Sequence, residues 1–346
     1  MMENTADVNH ASGRSCGAHV MILAGDIGGT KTLLGLFDPL TARPHAVRQR
    51  SFPTNEFQGL TDMIREFRSD EKVANAAVSS ACFGVAGPVL GSTAELTNVP
   101  FSIDAFAVSR AFDIPKVRLL NDLEAMAYAV PVLEAHELQI LQQGEAIRGG
   151  NMALIAAGTG LGQALLHNVR GHFVPSPTEA GHADWAPRTE RDIEVLRYLI
   201  ARHGRAEVED VVSGSRGLPN LHRVTHSTTV CEAGVDPDSA GASAALATAA
   251  LERRCARCVE ALELFVDAYG AEAGNAALRS VATGGVFIGG GIAPKILPAL
   301  TDGRFIAALR DKGAMRVLVE SVPVKIILNE EAGLLGAAVH AADLAG

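Results

Sequence analysis

Three glycine-rich turns, each next to an apolar run, could bring backbone N–H groups close to the oxygens of a phosphate. They are Leu-Ala-Gly-Asp-Ile-Gly-Gly-Thr-Lys at 23–31, Ile-Ala-Ala-Gly-Thr-Gly-Leu-Gly at 155–162 and Gly-Gly-Val-Phe-Ile-Gly-Gly-Gly-Ile at 284–292. Glycine has no Cβ and tolerates positive φ, so an anion can approach its backbone closely. A single glycine turn more often has only a structural role, because glycine is common in turns and loops that bind nothing. Occurring together, they favour phosphate binding and predict a nucleotide held between two lobes.

The first two turns do not match standard nucleotide motifs. Residues 25–32 fail the Walker A pattern because Thr30 stands where a glycine is required, and the segment after Lys31 alternates like a strand rather than a helix. Gly158-Thr-Gly160 is too short for a dinucleotide fingerprint. The segments 21–38 and 152–168 instead share the order strand, turn, strand. This shared order predicts a duplicated phosphate-binding hairpin.

Two acidic positions at strand ends could act on a phosphoryl group. Asp26 lies in the first turn, where it could cap the turn or hold Mg²⁺ through a hard carboxylate oxygen, and we favour the metal. Asn121-Asp122 follows an apolar strand and begins a helix. Both residue types cap helices well, but one of them is enough for a cap. A carboxylate at this strand end is well placed to accept a hydroxyl proton.

A second polar group could bind a polyol. Glu179 and His182 are three residues apart on a polar loop, where a carboxylate accepts from sugar hydroxyls and an imidazole donates or accepts. Incidental surface polarity explains the loop about equally well. A zinc site there is disfavoured because the loop offers no cysteine or histidine companions at usable spacing. Glu209, which precedes Val-Val-Ser-Gly at 211–214, is equally ambiguous.

Composition limits the class of protein. A chain of 346 residues with 48% hydrophobic residues predicts two domains, and a net charge of −9 argues against a nucleic-acid partner. No apolar run reaches the length of about 18 residues that a membrane span needs. Residues 1–19 are polar and lack the order of a signal peptide, which predicts a disordered tail. The five cysteines form no disulfide framework and indicate a reducing cytoplasm.

One cysteine pair forms a C-x-x-C motif. Cys255 and Cys258 lie inside a predicted helix, without a second pair and without a nearby histidine in the sequence. Packing is therefore favoured over metal or redox use.

The elements that must position these residues alternate between strand and helix, which predicts an α/β fold. Two hairpins are expected, at 20–37 with Gly28-Gly29 at the bend and again from Met152. Further strands are expected at 76–85, 117–120, 281–288 and 317–328. Helices are expected at 57–69, 105–112, 122–129, 190–203, 242–269 and 330–344, and from Pro294. The segments 172–188 and 204–218 are expected to be loops.

Several motifs follow one another along the chain. They are the three turns, Asn121-Asp122, Glu-Ala-Gly-His at 179–182, Val-Val-Ser-Gly-Ser-Arg-Gly-Leu-Pro-Asn-Leu-His at 211–222 and Gly-Leu-Leu-Gly at 333–336. In these motifs and in their order, the chain strongly resembles bacterial glucokinase. The resemblance covers nearly all of the chain after the polar tail. It implies two actin-like (ribonuclease H-like) α/β lobes with a cleft between them. The expected small lobe is 20–118 plus 333–346, and the large lobe is 119–332. The related repressor–kinase (ROK) branch carries a cysteine-rich zinc motif after its sugar-loop histidine, whereas Ala-Asp-Trp-Ala-Pro follows His182 here, so the zinc-free branch is indicated.

The resemblance also implies the roles of individual residues in an ATP- and Mg²⁺-dependent glucokinase. Asp122 would be the general base for the sugar 6-hydroxyl, and Asp26 would hold the metal. The sugar would be bound by Asn98, Asn121, Asp122, Glu179, His182 and Glu209. The phosphates would be surrounded by Gly25, Asp26, Ile27, Gly28, Gly29, Thr30, Lys31, Gly158, Thr159 and Gly160. The adenosine would be flanked by Gly284, Gly285, Gly289, Gly290 and Gly291. Lys31 is a departure, since some members carry Asn there.

The resemblance further implies a homodimer in the cytoplasm that feeds glycolysis, with small-molecule partners only. Three alternatives stay open at this point: a kinase for mannose, fructose or N-acetylmannosamine, a sugar-responsive regulator, and a phosphohydrolase of the same superfamily. Regulators of the related branch carry an N-terminal helix-turn-helix, and residues 1–19 are too short and polar for one. ADP or polyphosphate could replace ATP as the phosphoryl donor.

Overall fold

Two large β-sheets, formed one after the other along the chain, organise the protein, whose computed structural model describes residues 20–96, 99 and 101–346. The predicted tail at 1–19 and the predicted sugar ligand Asn98 lie outside the described residues. The strands are β1 (Met21–Ile27), β2 (Lys31–Asp38), β3 (His45–Pro53), β4 (Val78–Val85), β5 (Val89–Leu90), β6 (Thr93–Glu95), β7 (Ser102–Asp104), β8 (Lys116–Asn121), β9 (Leu138–Gln142), β10 (Met152–Ala157), β11 (Leu161–Val169), β12 (His172–Thr178), β13 (Gly285–Gly289) and β14 (Val324–Ile327).

Helices cover both sheets and join them. They are α1 (Leu60–Phe67), α2 (Glu71–Ala74), α3 (Ala105–Phe112), α4 (Asp122–Ala129), α5 (Glu190–His203), α6 (Gly217–Thr225), α7 (Ala242–Leu251), α8 (Ala256–Ser280), α9 (Leu297–Leu300), α10 (Arg304–Arg310), α11 (Arg316–Ser321) and α12 (Ala332–Ala345).

The first sheet has the strand order β3-β2-β1-β4-β8. The predicted hairpin forms it: β1 and β2 are antiparallel, whereas β4 and β8 run parallel to β1. Parallel strands buried on both faces are near-continuous apolar runs, and β1 is buried at every position except Asp26. Helix α1 packs Leu60, Met63 and Phe67 into this core. The carboxyl ends of β1, β4 and β8 therefore meet at one edge.

The second sheet repeats the arrangement in the order β12-β11-β10-β13-β14-β9. Strands β10 and β11 form an antiparallel hairpin, and β13 runs parallel to β10, as β4 does to β1. The predicted duplication of the hairpin is confirmed. The long helix α8 packs on this sheet, with Phe265 and Tyr269 fully buried.

Helices α4 and α12 pack together between the sheets at very close range. A Cβ on Gly336 would lie 1.7 Å from the Ala125 carbonyl oxygen, so the backbones can meet only because this residue is glycine. The opposite side of α12 covers β1 and β4, where Ser80 Oγ donates to the Ala341 carbonyl at 2.6 Å. The last helix thus joins the first sheet to the helix that follows β8.

Three predicted elements are wrong. The expected loop at 172–188 begins with strand β12. This strand tolerates Pro175 and Pro177 because it lies at the edge of the sheet and pairs only with β11, so it does not need an N–H donor at every position. The expected strand at 317–328 is helix α11 followed by the short β14. The expected helix at 242–269 is interrupted between α7 and α8, where Arg253 has a φ of 55°.

Helix α8 also runs past the predicted end to Ser280. Its two glycines are contact points rather than helix ends, because a Cβ on Gly270 would lie 2.2 Å from the Phe305 carbonyl oxygen and one on Gly274 would lie 2.5 Å from that of Leu309. They allow α10 to pack closely on α8.

Candidate active site

The parallel register of the first sheet brings Asp26 and Asp122 to one edge. Ile27 pairs with Val85, and Val85 pairs with Asn121, so Asp26, just before Ile27, and Asp122, just after Asn121, both lie at the carboxyl ends of these strands. Gly84 makes the approach possible, because a Cβ there would lie 2.8 Å from Ala125 Cβ and 3.9 Å from Asp122 Cα. The first glycine turn and the start of α4 are therefore neighbours.

Both carboxyl groups hold protons more tightly than usual. Burial, followed by the negative charge of Asp122, raises the pKa of Asp26 to about 6, while Lys31 acts in the opposite direction. Burial also raises the pKa of Asp122, opposed by the Leu123 N–H, which donates to its Oδ1 at 2.8 Å. Desolvation of the charged form explains both shifts. A cation beside these carboxylates would find little competing positive charge apart from Lys31.

The structure shows which of Asn121 and Asp122 caps helix α4. The Asn121 side chain is the N-cap of α4, and its Oδ1 accepts from the Glu124 N–H at 2.6 Å. Because the cap is already provided, Asp122 is free to face the cavity beside it. That cavity, of about 610 Å³, is lined by Asn121, Asp122, Glu179, Gly162 and other residues. A Cβ on Gly162 would lie 2.9 Å from Leu123 Cδ2, which fixes the second hairpin against α4.

The second and third glycine turns also converge. The Gly158 N–H bonds the Gly160 carbonyl within the hairpin at 2.9 Å. Gly290 has a φ of 83°, a region that favours glycine, and a Cβ there would lie 2.3 Å from the Ala157 carbonyl oxygen. The Ile292 N–H donates to this same carbonyl at 3.2 Å. The turn after β13 therefore lies directly against the end of β10.

A cavity of about 710 Å³ opens beside these two turns. Its lining includes Gly158, Thr159, Ser215, Arg223 and Lys295. The Ser215 N–H and hydroxyl both donate to the Thr159 carbonyl, at 3.0 and 2.7 Å, which ties the loop before α6 to the hairpin. A further cavity of about 750 Å³, between α10 and the loop before α5, contains none of the predicted site residues.

Gly284 and Gly285 are a correction to the predicted adenosine site. Gly285 pairs with Met152 at the start of β10, and a Cβ on Gly284 would lie 2.5 Å from the Gly150 carbonyl oxygen. A strand rises by about 3.3 Å per residue, so β13 separates this pair from Gly289 by roughly 13 Å. Gly284 and Gly285 pack closely at the end of β13 opposite the turn that begins at Gly289.

The predicted sugar residues Glu179, His182 and Glu209 lie around the end of the second hairpin. The turn at Ala180–His182 approaches β11 closely, because a Cβ on Gly181 would lie 2.3 Å from the Leu161 carbonyl oxygen. Glu209 Oε2 accepts from the Leu161 N–H at 3.2 Å. These residues, far apart in sequence, therefore share the end of one hairpin.

Two further charged residues, Glu207 and Arg216, hold this group together, and neither was predicted as a site residue from the sequence. Glu207 Oε2 lies 2.8 Å from His182 Nδ1, and this bond raises the pKa of His182 against a smaller effect of burial. Arg216 donates to Glu209 Oε1 at 2.7 Å and lies 3.1 Å from Asp210 Oδ1. A signal was available: Glu207 and Asp210 form a capping box around the turn that carries Glu209.

Comparison with known proteins decides the family. A family model described as Glucokinase matches residues 23–344. A glucokinase from Nostoc punctiforme is 39% identical over 342 residues, which cover 94% of this chain and 99% of its own. The chain belongs to the glucokinase family.

Solved structures agree with this family assignment. A glucokinase from an Antarctic psychrotroph matches with a TM-score of 0.83 at 29% identity, over 93% of this chain and 99% of that one. A ROK family glucokinase from Streptomyces griseus, solved with glucose and AMPPNP, shares the fold with a TM-score of 0.59 at 21% identity, over 93% and 99% of the two chains. The predicted actin-like α/β fold is confirmed. Among the described residues, no helix is long and apolar enough to cross a bilayer.

Proposed function

We propose that this member of the glucokinase family transfers the γ-phosphoryl group of ATP to the 6-hydroxyl of glucose. The observation that carries the proposal is the cavity that places Asp122, Asn121 and Glu179 together next to the second hairpin. Asp26 of the first turn is close enough for the charge of Asp122 to raise its pKa. A sugar hydroxyl in this cavity would face a carboxylate on one side and the phosphate-binding turns on the other.

Asp122 is the proposed general base. Phosphoryl transfer passes through a loose transition state, so positioning and charge neutralisation matter more than covalent chemistry. Burial raises the pKa of Asp122, which makes it a better proton acceptor. Its Oδ1 is held by the Leu123 N–H, which orients the carboxylate. The base takes the hydroxyl proton late, as the oxygen–phosphorus bond forms.

Asp26 fits a divalent cation. Its carboxylate can offer oxygen ligands to a cation. Burial, followed by the charge of Asp122, raises its pKa, which shows that the ionised form lacks compensating positive charge. Gly333 leaves open the space beside it, because a Cβ there would lie 2.8 Å from Asp26 Oδ2. When bound, Mg²⁺ would neutralise phosphate charge, as hard cations do with carboxylate and phosphate oxygens. The residues of this chain would hold it through Asp26, with Lys31 nearby.

The nucleotide is proposed to lie across both hairpins. Backbone N–H groups of Gly25 to Lys31 and Gly158 to Gly160 would contact phosphates, and the 710 Å³ cavity beside Thr159 would take the adenosine, with Gly289 to Gly291 behind it. The proposed lobes are 20–118 plus 333–346 and 119–332, which close over the substrates and exclude water. The family resemblance alone supports a homodimer, a cytoplasmic location and a place at the entry of glycolysis.

The loop at 179–182 and the turn that carries Glu209, together called the sugar loop, are proposed to set substrate choice. Glu179 lines the cavity with Asp122, whereas Glu209 and the His182–Glu207 pair lie around the end of the hairpin. A site that hydrogen-bonds each hydroxyl rejects sugars that lack the matching group, because its polar atoms are then left unpaired. Kinases for mannose, fructose or N-acetylmannosamine are the second candidates.

The test combines a substrate panel with one variant pair. ADP release is measured with glucose, mannose, fructose and N-acetylmannosamine, and phosphoryl acceptance by glucose is compared for ATP, ADP and polyphosphate. Asp122→Asn should lower kcat for glucose by about 10²–10⁴-fold while calorimetry still detects glucose binding. Glu124→Gln, in the same first turn of α4 and lining the same cavity, is the control and should retain most of kcat.

Three results would contradict the proposal. Near-normal kcat in Asp122→Asn would remove the base. A clear preference for another sugar would change the substrate, and phosphate release without any sugar would indicate a phosphohydrolase.

A further inference from the structure

A cluster of histidine and cysteine side chains lies outside the proposed active site. His222 and His226 are on α6, Cys231 is in the loop that follows, and Cys258 is in the first turn of α8. Their possible ligand atoms all lie within 4.8 Å of one another. Cys255, the N-cap residue of α8, adds a fifth donor, with its Sγ 3.3 Å from His226 Nε2. The C-x-x-C pair, which has no histidine nearby in the sequence, therefore has two histidines nearby in the fold.

The first sign of a ligand is an unsatisfied buried imidazole. His222 is only 3% exposed, and neither ring nitrogen has a hydrogen-bond partner. Its ring stacks on that of His226, with 3.9 Å between the ring centres. A buried polar group without a partner is costly unless something binds it.

The second sign is the orientation of His226. Its Nδ1 lies 2.9 Å from the His222 carbonyl oxygen, an acceptor that requires the proton to be on Nδ1. The lone pair is then on Nε2, the nitrogen that lies 3.3 Å from Cys255 Sγ. Metal-binding histidines typically use the same device, in which a backbone carbonyl fixes the tautomer.

The distances and the spacing also fit a tetrahedral metal. Cys231 Sγ and Cys258 Sγ are 3.6 Å apart. Two thiolates on one zinc, with bonds of about 2.3 Å at a tetrahedral angle, would be about 3.8 Å apart. The spacing H-x₃-H of His222 and His226 on α6 is typical of structural zinc ligands.

We propose that His222, His226, Cys231 and Cys258 bind a structural zinc ion. The two imidazoles bind as neutral ligands, and the two thiols bind as thiolates after releasing their protons to solvent. Cys255 remains beside His226 at the edge of the site.

The position of the site gives it a structural task. The ion would join α6, the loop after it and the start of α8. This loop continues to Pro237 and Asp238, which line the 710 Å³ cavity together with Arg223 of α6. Arg223 Nη2 donates to the Pro237 carbonyl at 3.3 Å, so the cavity wall is linked to the ligand-bearing helix. Zinc would therefore hold this wall of the cavity in place.

The test uses the whole chain and zinc alone. The protein is purified with and without Zn²⁺ in the medium, dialysed, and analysed by mass spectrometry for metal per chain. We expect one zinc per chain and a higher Tm in the zinc-loaded form. Cys231→Ser should lower the zinc affinity by about tenfold or more, since one of four ligands is lost. Cys82→Ser, which alters a buried thiol in the first sheet, is the control and should keep a full complement.

A second metal and a second variant keep the test decisive if one variant folds poorly. Co²⁺ in the same site should give the thiolate charge-transfer band of a tetrahedral centre, and His226→Gln should weaken it. Absence of zinc after supplementation would overturn the proposal, as would equal zinc affinity in wild type and Cys231→Ser. A Cys231–Cys258 disulfide in protein that takes up no zinc would do so as well.

Discussion

Replacing Arg216 with methionine tests how the proposed sugar loop is held. The guanidinium lies 2.7 Å from Glu209, 3.1 Å from Asp210 and 3.5 Å from Glu207. Asp210 is the deepest of the three, with 3% of its side chain exposed, against 15% for Glu209. Methionine keeps most of the apolar stem but leaves these carboxylates without their shared cation.

The expected cost follows from burial. Removing one partner of a buried ion pair costs about 3–5 kcal/mol, because a charge stays buried without compensation. The Arg216 side chain is 38% exposed, which places the variant at the lower end, at about 3 kcal/mol. The proposed lobe at 119–332 falls in the range of about 150–250 residues, for which a loss of about 3 kcal/mol lowers Tm by roughly 6–12 °C. Because Glu209 also loses its fixed position, KM for glucose should rise more than kcat falls.

Calorimetric melting and steady-state kinetics measure both effects. The matched control is Arg316→Met, which removes an i,i+4 pair with Glu320 whose side chains are 65% and 36% exposed. Such surface pairs contribute about 0.3–0.5 kcal/mol, so its Tm should hardly change. Adding Asp210→Asn to Arg216→Met should recover part of the loss, since it removes the deepest negative charge. Equal Tm values for the two single variants would refute the reasoning.

Three other predictions concern a histidine, an acid and a glycine. Glu207→Gln should lower the pKa of His182 toward its ordinary value of 6.5, measured by NMR titration with His182→Asn to identify the resonance; an unchanged pKa would contradict the pairing. The hydrogen bond from Arg43 lowers the pKa of Glu137 to about 2, against an opposing effect of burial, so its stabilisation is complete above pH 4.5 and is lost as the pH falls toward 2. Glu137→Gln should therefore cost about 2–3 kcal/mol in urea unfolding at pH 7, and the difference from wild type should shrink below pH 4.5; a constant difference would exclude the charge as its cause. Gly336→Ala should cost about 3 kcal/mol or more by overpacking, whereas Gly59→Ala, which meets only Thr61 Oγ1 at 3.9 Å, should be nearly neutral in the same melts.

Elements with strong local signals were predicted well from the sequence. Helix α5 begins and ends as expected, because Thr189 and Asp192 form a capping box and Gly204 closes the helix with a φ of 82°. Helix α4 also has the predicted bounds, set by the Asn121 cap. Elements decided by tertiary contacts were predicted less well: the segment of β12, which carries Pro175 and Pro177, was expected to be a loop, and the helix that includes α8 was expected to end at 269. In each case the deciding partner lies far away in sequence.

In the candidate site, too, residues with a local sequence signal were predicted and those that depend on tertiary contacts were not. Asp26 and Asp122 were identifiable because each ends an apolar strand, and strand ends in a parallel sheet meet. Gly284 was grouped with Gly289 because sequence does not reveal which end of a strand faces the cleft. The pairing of His182 with Glu207 depends on two loops meeting, which composition and periodicity do not encode. The histidine–cysteine cluster was missed because the loop after α6 and helix α7 separate α6 from α8 in the sequence.

The covering of the first sheet by α12 sets the order in which the molecule can be completed during translation. The bond between Ser80 and Ala341 spans 261 residues of sequence. Until residues 332–345 leave the ribosome, the apolar side of β1 and β4 that carries Ile22, Ala24 and Cys82 lacks its main covering helix, because of the two helices packed there only α4 has been made. The first sheet made is thus finished only after the second, and a stalled ribosome would display an open apolar surface of the kind that chaperones bind.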